Sequence, residues 1–164
     1  MNTLVLENIN DITPYHVIQM EEFPNLFYFH TDFDVDYEIC IKPNDTFISC
    51  GACTLDIRNI CNQTSPNDAK LRQTLIAIIE EFFRCNNEVM LYVIETDDGK
   101  QSLRDRLFVR WFNTYEHHER FFIKTAEGKM DNQTNFMAII SRKDNPNLQQ
   151  AITEFDETIN FLFD

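Results

Sequence analysis

The sequence predicts an α+β fold: a single mixed, mainly antiparallel sheet with helices packed on it. Three observations lead there. Residues 26–56 alternate apolar and polar positions between clusters of Asp, Asn and Pro, the period-two pattern of half-buried strands. Residues 66–85 and 145–162 instead repeat apolar residues at helical spacing. Between them, residues 89–94 form an unbroken apolar run with polar Glu88 and Glu95 at its ends, which reads as a strand covered on both faces at the centre of a sheet.

The elements follow in chain order. Residues 1–24 are weakly patterned, with Pro14 and Pro24 as punctuation and Tyr15, Val17, Ile18 and Phe23 as packing residues, and allow a short strand or helix. LFYFHTDFDVDYEICI, residues 26–41, reads as two strands around a turn at Asp32 to Asp34, residue types whose side chains bond their own backbone. A third strand is expected over 46–56, where Phe47, Ile48, Cys50, Cys53 and Leu55 are apolar, so the fold opens on an antiparallel meander. A polar loop at 62–67 leads to a helix with Ser65 as N-cap, Pro66 at the first position and Asp68 in the first turn. Leu71, Leu75, Ile78, Ile79 and Phe82 give that helix its apolar face, and about five turns end it near Cys85, before Asn86 and Asn87. After the strand at 89–94, Thr96, Asp97, Asp98 and Gly99 turn the chain into a helix over 100–112. Strands over 120–125 and 135–142 are joined across EGKMDNQT. Asn145 and Pro146 then start a last helix striped by Leu148, Ile152, Phe155, Ile159 and Leu162. With no internal repeat and no linker, residues 1–164 are expected to form a single globular domain.

Composition narrows the function classes. A chain of 164 residues buries roughly 70% of the surface its unfolded form exposes, so its stability requires neither a metal nor a disulfide. The formal net charge of -13 repels the phosphate backbone, which argues against nucleic acid as a partner. The charge is uneven: residues 1–41 carry eight acids and no Lys or Arg, whereas Lys100, Arg104, Arg106, Arg110, Arg120 and Lys124 place six of fourteen basic residues within 25 positions. Five cysteines form an odd set, MNTLVLENIND lacks a signal peptide, and no stretch approaches the ~20 apolar residues of a membrane span. A cytoplasmic protein with reduced thiols and no membrane partner is expected, and the Asn-x-Thr matches at Asn44, Asn62 and Asn132 are chance occurrences.

Ligands in open sheets bind at the carboxyl ends of strands, which directs attention to residues 97–110. On a helical wheel Leu103, Leu107 and Trp111 make one stripe, widened by Phe108 and Phe112, with Arg106 and Arg110 on one flank and Arg104 inside the apolar arc. A buried guanidinium needs a partner. For Arg104 that is an internal ion pair with Glu95, Asp97, Asp98 or a meander acid, or an anionic ligand or acidic partner; the alternative is a snorkelling side chain. Asp97 and Asp98 stand where sheet enzymes place acids, and equally where ordinary turn chemistry places them.

The remaining motifs have structural explanations. Asp32, Asp34, Asp36 and Glu38 imitate a calcium loop, but its sixth and twelfth positions hold Tyr37 and Pro43, so a turn and a solvated strand face account for them. Cys50 and Cys53 have zinc or redox spacing without a second pair, and packing is the better reading. His117 and His118 are adjacent loop histidines. No cofactor and no metal site are expected.

Two resemblances add to this reading. The element order over 26–142, a meander followed by helix, strand, helix and a closing strand pair, resembles the acyl-CoA N-acyltransferase superfamily. That resemblance implies acyl-CoA held by a glycine-containing loop at the start of the first long helix. Here residues 58–69 contain no glycine and carry Asp68, a departure from the pattern. The run DGKQSLRDRLFVRWF, with an upstream helix ending in FF and a downstream SRKDNP, resembles an uncharacterised family of small bacterial proteins with a D-x-[KR]-Q-x-x-R-x-R-L-F-x-R-W-F signature. The similarity runs from about Leu26 to the C-terminus. It marks Asp98, Lys100, Gln101, Arg104, Arg106, Arg110 and Trp111 as matching positions, implies no activity, and would lead one to expect glycine where Asp34 stands. Together these features point to a non-catalytic module that engages a small anion or an acidic protein partner, with an acyl-CoA-dependent enzyme as the alternative. Oligomeric state and catalytic residues stay unassigned.

Overall fold

The computed structural model describes residues 1–61, 63, 66–95, 109–110, 112–130 and 133–163, with Ile94, Glu95 and Gln133 described by their backbone alone. The fold is α+β, with one mixed, open sheet in the strand order β1-β2-β3-β4-β5-β7-β6 and helices packed on it. The strands are β1 (Ile18–Met20), β2 (Phe23–His30), β3 (Asp36–Pro43), β4 (Ala52–Asn59), β5 (Val89–Glu95), β6 (Phe121–Met130) and β7 (Gln133–Arg142). The described helices are α1 (Leu6–Asn10), α2 (Ala69–Cys85) and α3 (Leu148–Leu162), with a 3-10 turn at His118–Arg120. Val109, Arg110 and residues 112–114 are also helical. The chain divides into two compact units, one of Met1–Lys42 with Leu55–Asn86 and one of Pro43–Thr54 with Asn87–Asp164, so the residues of β4 are divided between them.

In the first unit β1, β2 and β3 pair antiparallel, with Phe27 opposite Ile39 and Phe29 opposite Tyr37. These four side chains and Ile41 are buried, while Tyr28, Glu38 and Cys40 on the alternate positions are half-buried, the outcome expected of period-two alternation. The expected hairpin is present, and its turn explains the unusual residue at 34. Thr31 accepts the Asp34 amide at 3.2 Å and bonds Val35 through both backbone and hydroxyl, which drives Asp34 to φ +57°. That is glycine territory, in which Asp is one of the few tolerated side chains.

Helix α2 buries Leu71, Leu75, Ile78, Ile79 and Phe82, the face its spacing predicts, and each contributes on the order of 1.5–3 kcal/mol by leaving water. Its start corrects the sequence reading, since the N-cap is Asp68 and not Ser65. Its C-terminal end ties down the chain start. Asn86 caps the last turn on the Phe82 carbonyl, and Asn2 donates to the Cys85 carbonyl at 2.7 Å. Glu81, 5% exposed, takes both 2.7 Å bonds from Arg84 and accepts the Val5 amide at 3.0 Å.

In the second unit β7 lies between β5 and β6 and pairs antiparallel with both, with Leu91 opposite Ile139 and Ala126 opposite Met137. Strand β5 is interior, as the apolar run predicts. Val89, Met90 and Leu91 are fully buried, whereas Val93 is 37% exposed, so coverage of both faces holds for the first turns of the pleat only. One face of the sheet joins Val89, Leu91, Met137 and Ile139 to Ala151 and Phe155 of α3 in a single apolar cluster with Ile48 and Ala52.

Two boundaries differ from expectation. The third strand runs over Ala52–Asn59 and not 46–56, because Gly51 at φ +105° turns the chain just before it. Residues ahead of that turn are held by α3, where Glu154 accepts from the Ser49 amide at 2.6 Å. The closing pair is longer than 120–125 and 135–142, running to Met130 and from Gln133. Gly128 lies inside β6 because the Phe163 ring occupies the place a Cβ would take.

Burial alone would raise the Glu81 carboxyl pKa, but the Arg84 guanidinium, the Val5 amide and the Cys85 thiol outweigh it and hold it down to about 2. A depressed carboxyl contributes stability above its unfolded pKa of about 4.3 and loses it as pH falls toward 2. Because Arg84 is half-exposed, the contribution is discounted to about 2 kcal/mol. Glu81→Gln should lower stability at pH 7 by about that amount and flatten the loss between pH 4.5 and pH 2, measured by denaturant unfolding across pH.

Candidate functional site

Two places were singled out by the sequence: the start of the first long helix and the basic run at 98–111. In the second unit, the described helical residues around 110 stand over the β6–β7 hairpin. Phe112, 1% exposed, fixes them there by packing its ring 5.5 Å from Phe121 and 5.4 Å from Tyr115. Thr114 caps back onto the Arg110 carbonyl at 3.1 Å.

The hairpin sorts its side chains by alternation. Lys124 reaches Asp156 of α3 at 2.7 Å, and Ala126 packs on the apolar cluster beneath α3. Thr125 and Glu127 therefore belong to the other face, where Glu127 is paired in register with Phe136. An open cavity of about 510 Å³ lies on this side, lined by Arg110, Asn113 and Thr114 from the helical residues and by Thr125, Glu127 and Phe136 from the strands. Val109 adds apolar surface to it. Arg110 is exposed, and among the described residues its guanidinium has no ion pair.

Of the seven residues marked by the sequence, Arg110 is thus placed at a cavity. Asp98, Lys100, Gln101, Arg104, Arg106 and Trp111 lie outside the described residues. Thr125, Glu127 and Phe136 were not anticipated as site residues. The signal is the alternation that continues from Thr125 through Lys129, of which the sequence reading assigns Glu127 onward to the connection EGKMDNQT.

The head of α2 is differently built. The Asp68 carboxylate accepts the Lys70 amide at 2.9 Å and the Tyr15 hydroxyl at 2.7 Å, while Tyr15 in turn accepts the Asp32 amide at 3.2 Å. Lys70 pairs with Asp32 and lies 5.7 Å from the Tyr15 ring centroid. Burial, with Asp68 beside it, pushes the Tyr15 hydroxyl up to about 12. The helix N-terminus, the natural seat for a phosphate, already holds a carboxylate.

Several of the remaining acids have local partners. His30 bonds Asp36 at 2.7 Å, which raises its pKa, and Glu38 lies 3.7 Å from Arg58. Of the four acids that imitate a calcium loop, Asp34 and Asp36 both face His30, Asp32 faces Lys70 and Glu38 faces Arg58, and among the described residues no group of three or more His, Cys, Asp or Glu could hold a metal. Cys53 is buried in β4, and its burial pushes the thiol up to about 11, away from the reactive thiolate. His117 and His118 are exposed, and His118 stands 2.8 Å from the Tyr115 carbonyl.

Residues 67–157 match a protein family described as a family of unknown function (DUF6169), and the chain belongs to it. The match spans α2 through most of α3 and includes the basic run. It meets the expectation of an uncharacterised family, though it begins well after Leu26. No curated protein and no solved structure matches the chain.

Asp68→Ala should remove both a helix cap, worth about 1 kcal/mol, and the partner of a buried hydroxyl, worth about 1–3 kcal/mol. The expected loss of about 2–3 kcal/mol is read by urea unfolding, and Tyr15→Phe in the same background should recover part of it.

Proposed function

We propose that this member of the family is a non-catalytic cytoplasmic binding module that engages an anionic ligand or acidic partner through its basic, Trp-containing run. The observation that carries the reading is Arg110: an exposed guanidinium, without an ion pair among the described residues, at the wall of an open cavity with an aromatic floor. Arginine binds carboxylates through a planar fork of donors, and Arg and aromatic side chains are the residues that dominate recognition surfaces. In a chain of net charge -13, a local cation cluster is an address, because it is where an anion finds attraction. Asp98, Lys100, Gln101, Arg104, Arg106 and Trp111 belong to the same proposed surface by their sequence adjacency.

Trp111 is the single tryptophan and adjoins Arg110 in sequence, so its fluorescence reports on this surface. Titration with a glutamate-rich peptide and with small carboxylates should change that signal. Arg110→Ala should weaken binding by about 10- to 100-fold, the value of a charge-assisted hydrogen bond, while the melting temperature stays within about 2 °C. Unchanged affinity in the variant would remove the proposal.

A second reading, an enzyme of acetyltransferase-like fold using acyl-CoA, is favoured by one observation: β7 closes the sheet between β5 and β6 after the helix-strand succession that resembles that superfamily. Against it stands the carboxylate of Asp68 at the head of α2, where the pyrophosphate would have to bind. The two readings separate in a thermal-shift assay, because a ligand at a hundred times its dissociation constant stabilises by about 2.7 kcal/mol. Millimolar acetyl-CoA is expected to leave the melting temperature unmoved. A shift of several degrees would favour the enzyme.

A further inference from the structure

A second surface, in the first unit, carries the opposite sign. Strand β1 ends the strand order with β2 as its one neighbour, and Glu21 and Glu22 turn the chain from one to the other. Ile18 lies opposite Tyr28, and Met20 opposite Phe23, across that ladder. Because Tyr28 alternates with the buried Phe27 and Phe29, Ile18 stands on the face turned away from those core rings. Ile18, Met20 and Phe23 are 52%, 53% and 52% exposed, three large apolar side chains adjoining at one sheet edge. Single exposed apolar residues are common and mean little, whereas an adjoining group rimmed by polar residues marks a place where something docks.

The rim says what. Residues 1–41 hold eight acids and no Lys or Arg. Asp32, Asp36 and Glu38 already face Lys70, His30 and Arg58, but the exposed Glu21 and Glu22 have no ion pair among the described residues. A second copy of the chain would bring the same acids and another net charge of -13 to this edge, and nucleic acid or an anionic lipid surface would bring phosphates. Each of these meets like charge. Edge strands are commonly guarded by Lys; here the flanking charges are acidic, and they turn away acidic partners while drawing in basic ones. The paired part of β1 is only three residues long and its register shifts between Gln19 and Met20, so the backbone ladder on offer is short and side chains must do the anchoring.

We infer that Ile18, Met20 and Phe23, rimmed by Glu21 and Glu22, form a docking surface for a basic segment of another protein. Lys or Arg side chains of that segment meet the two carboxylates, and its large apolar side chains cover the three anchors. The anchors supply affinity, and the acids supply the choice of partner and the rate of encounter.

The test uses the whole chain and three labelled peptides read by fluorescence anisotropy: one in which Lys alternates with Val and Phe, one with Glu in place of Lys, and one with Gly in place of Val and Phe. The first should bind tighter than either of the others by about tenfold or more. Met20→Ser with Phe23→Ser, checked for an unchanged melting temperature, should weaken that binding by about tenfold or more. Glu21→Lys with Glu22→Lys should do the same. Asp45→Lys with Glu157→Lys, exposed acids of the second unit whose reversal changes the net charge equally, should leave it within about twofold. Equal weakening by the two charge reversals would overturn the surface in favour of diffuse attraction to an acidic chain. Equal binding of the Lys and Glu peptides would overturn the basic partner. A dimer in sedimentation that Met20→Ser with Phe23→Ser dissociates would give the face to a second copy and overturn the inference as well. Failure of the Lys peptide to bind the unmodified chain would overturn it outright.

Discussion

The carboxylate of Asp68 is the group on which the first unit and the functional reading both depend. It is a buried charge, 5% exposed, and it is tolerated only because a backbone amide and a phenol hydroxyl reach it at once. Through Tyr15 it fastens the N-terminal segment and the turn of the β2–β3 hairpin to the head of α2. Tyr15 continues the tie into the sheet, stacking on Phe29, which stacks on Tyr37 at centroid distances of 6.1 and 5.6 Å. The same carboxylate fills the positive end of the helix dipole. A stabilising choice at one residue therefore fills the anion seat at the head of α2.

There the governing fact is how strand alternation divides the β6–β7 hairpin. One face is committed to α3 through Ala126, Met137 and Ile139, and at Gly128 the Phe163 ring takes the place a Cβ would need. The opposite face is left with Thr125, Glu127 and Phe136, a mixture too polar to be only core. Phe112 and Phe121 close one end of that face with an aromatic contact, which sets Arg110 and Asn113 over the part left open. The cavity is the space between a well-packed aromatic anchor and a strand surface that sequence has kept hydrophilic.

Much of this was legible in the sequence, for reasons that can be stated residue by residue. The β2–β3 hairpin, α2, β5 and α3 carry strong periodicity, and their buried faces are the ones the spacing indicates. What escaped was set by distant partners. Ser65 looks as good a cap as Asp68 until Tyr15, 53 residues away, is seen to choose between them. The strand expected at 46–56 contains a pattern that fits, and a positive φ at Gly51 overrides it. EGKMDNQT looks like a loop because glycine and charges dominate it, yet the ladder runs from Glu127 to Met130 and resumes at Gln133. At the site, Arg110 was recognisable from local charge density. Glu127 and Phe136 were not, because only strand pairing makes them neighbours.

The perturbed groups mark where the chain is tied together. A group that exchanges protons in a reaction works best with its pKa near the pH at which it operates. The large shifts among the described residues go the other way: Glu81 is held down to about 2, Tyr15 is pushed up to about 12 and Cys53 up to about 11. Each is held in the protonation state it already prefers at neutrality, Tyr15 and Cys53 chiefly by burial and Glu81 by the Arg84 guanidinium and the Val5 amide. His30 moves toward protonation under Asp36, but it does so on an exposed turn of the first unit, outside the cavity. Glu81 and Tyr15 tie together segments of the first unit, whereas the cavity at Arg110 belongs to the second unit, where the contact between Phe112 and Phe121 does the fixing.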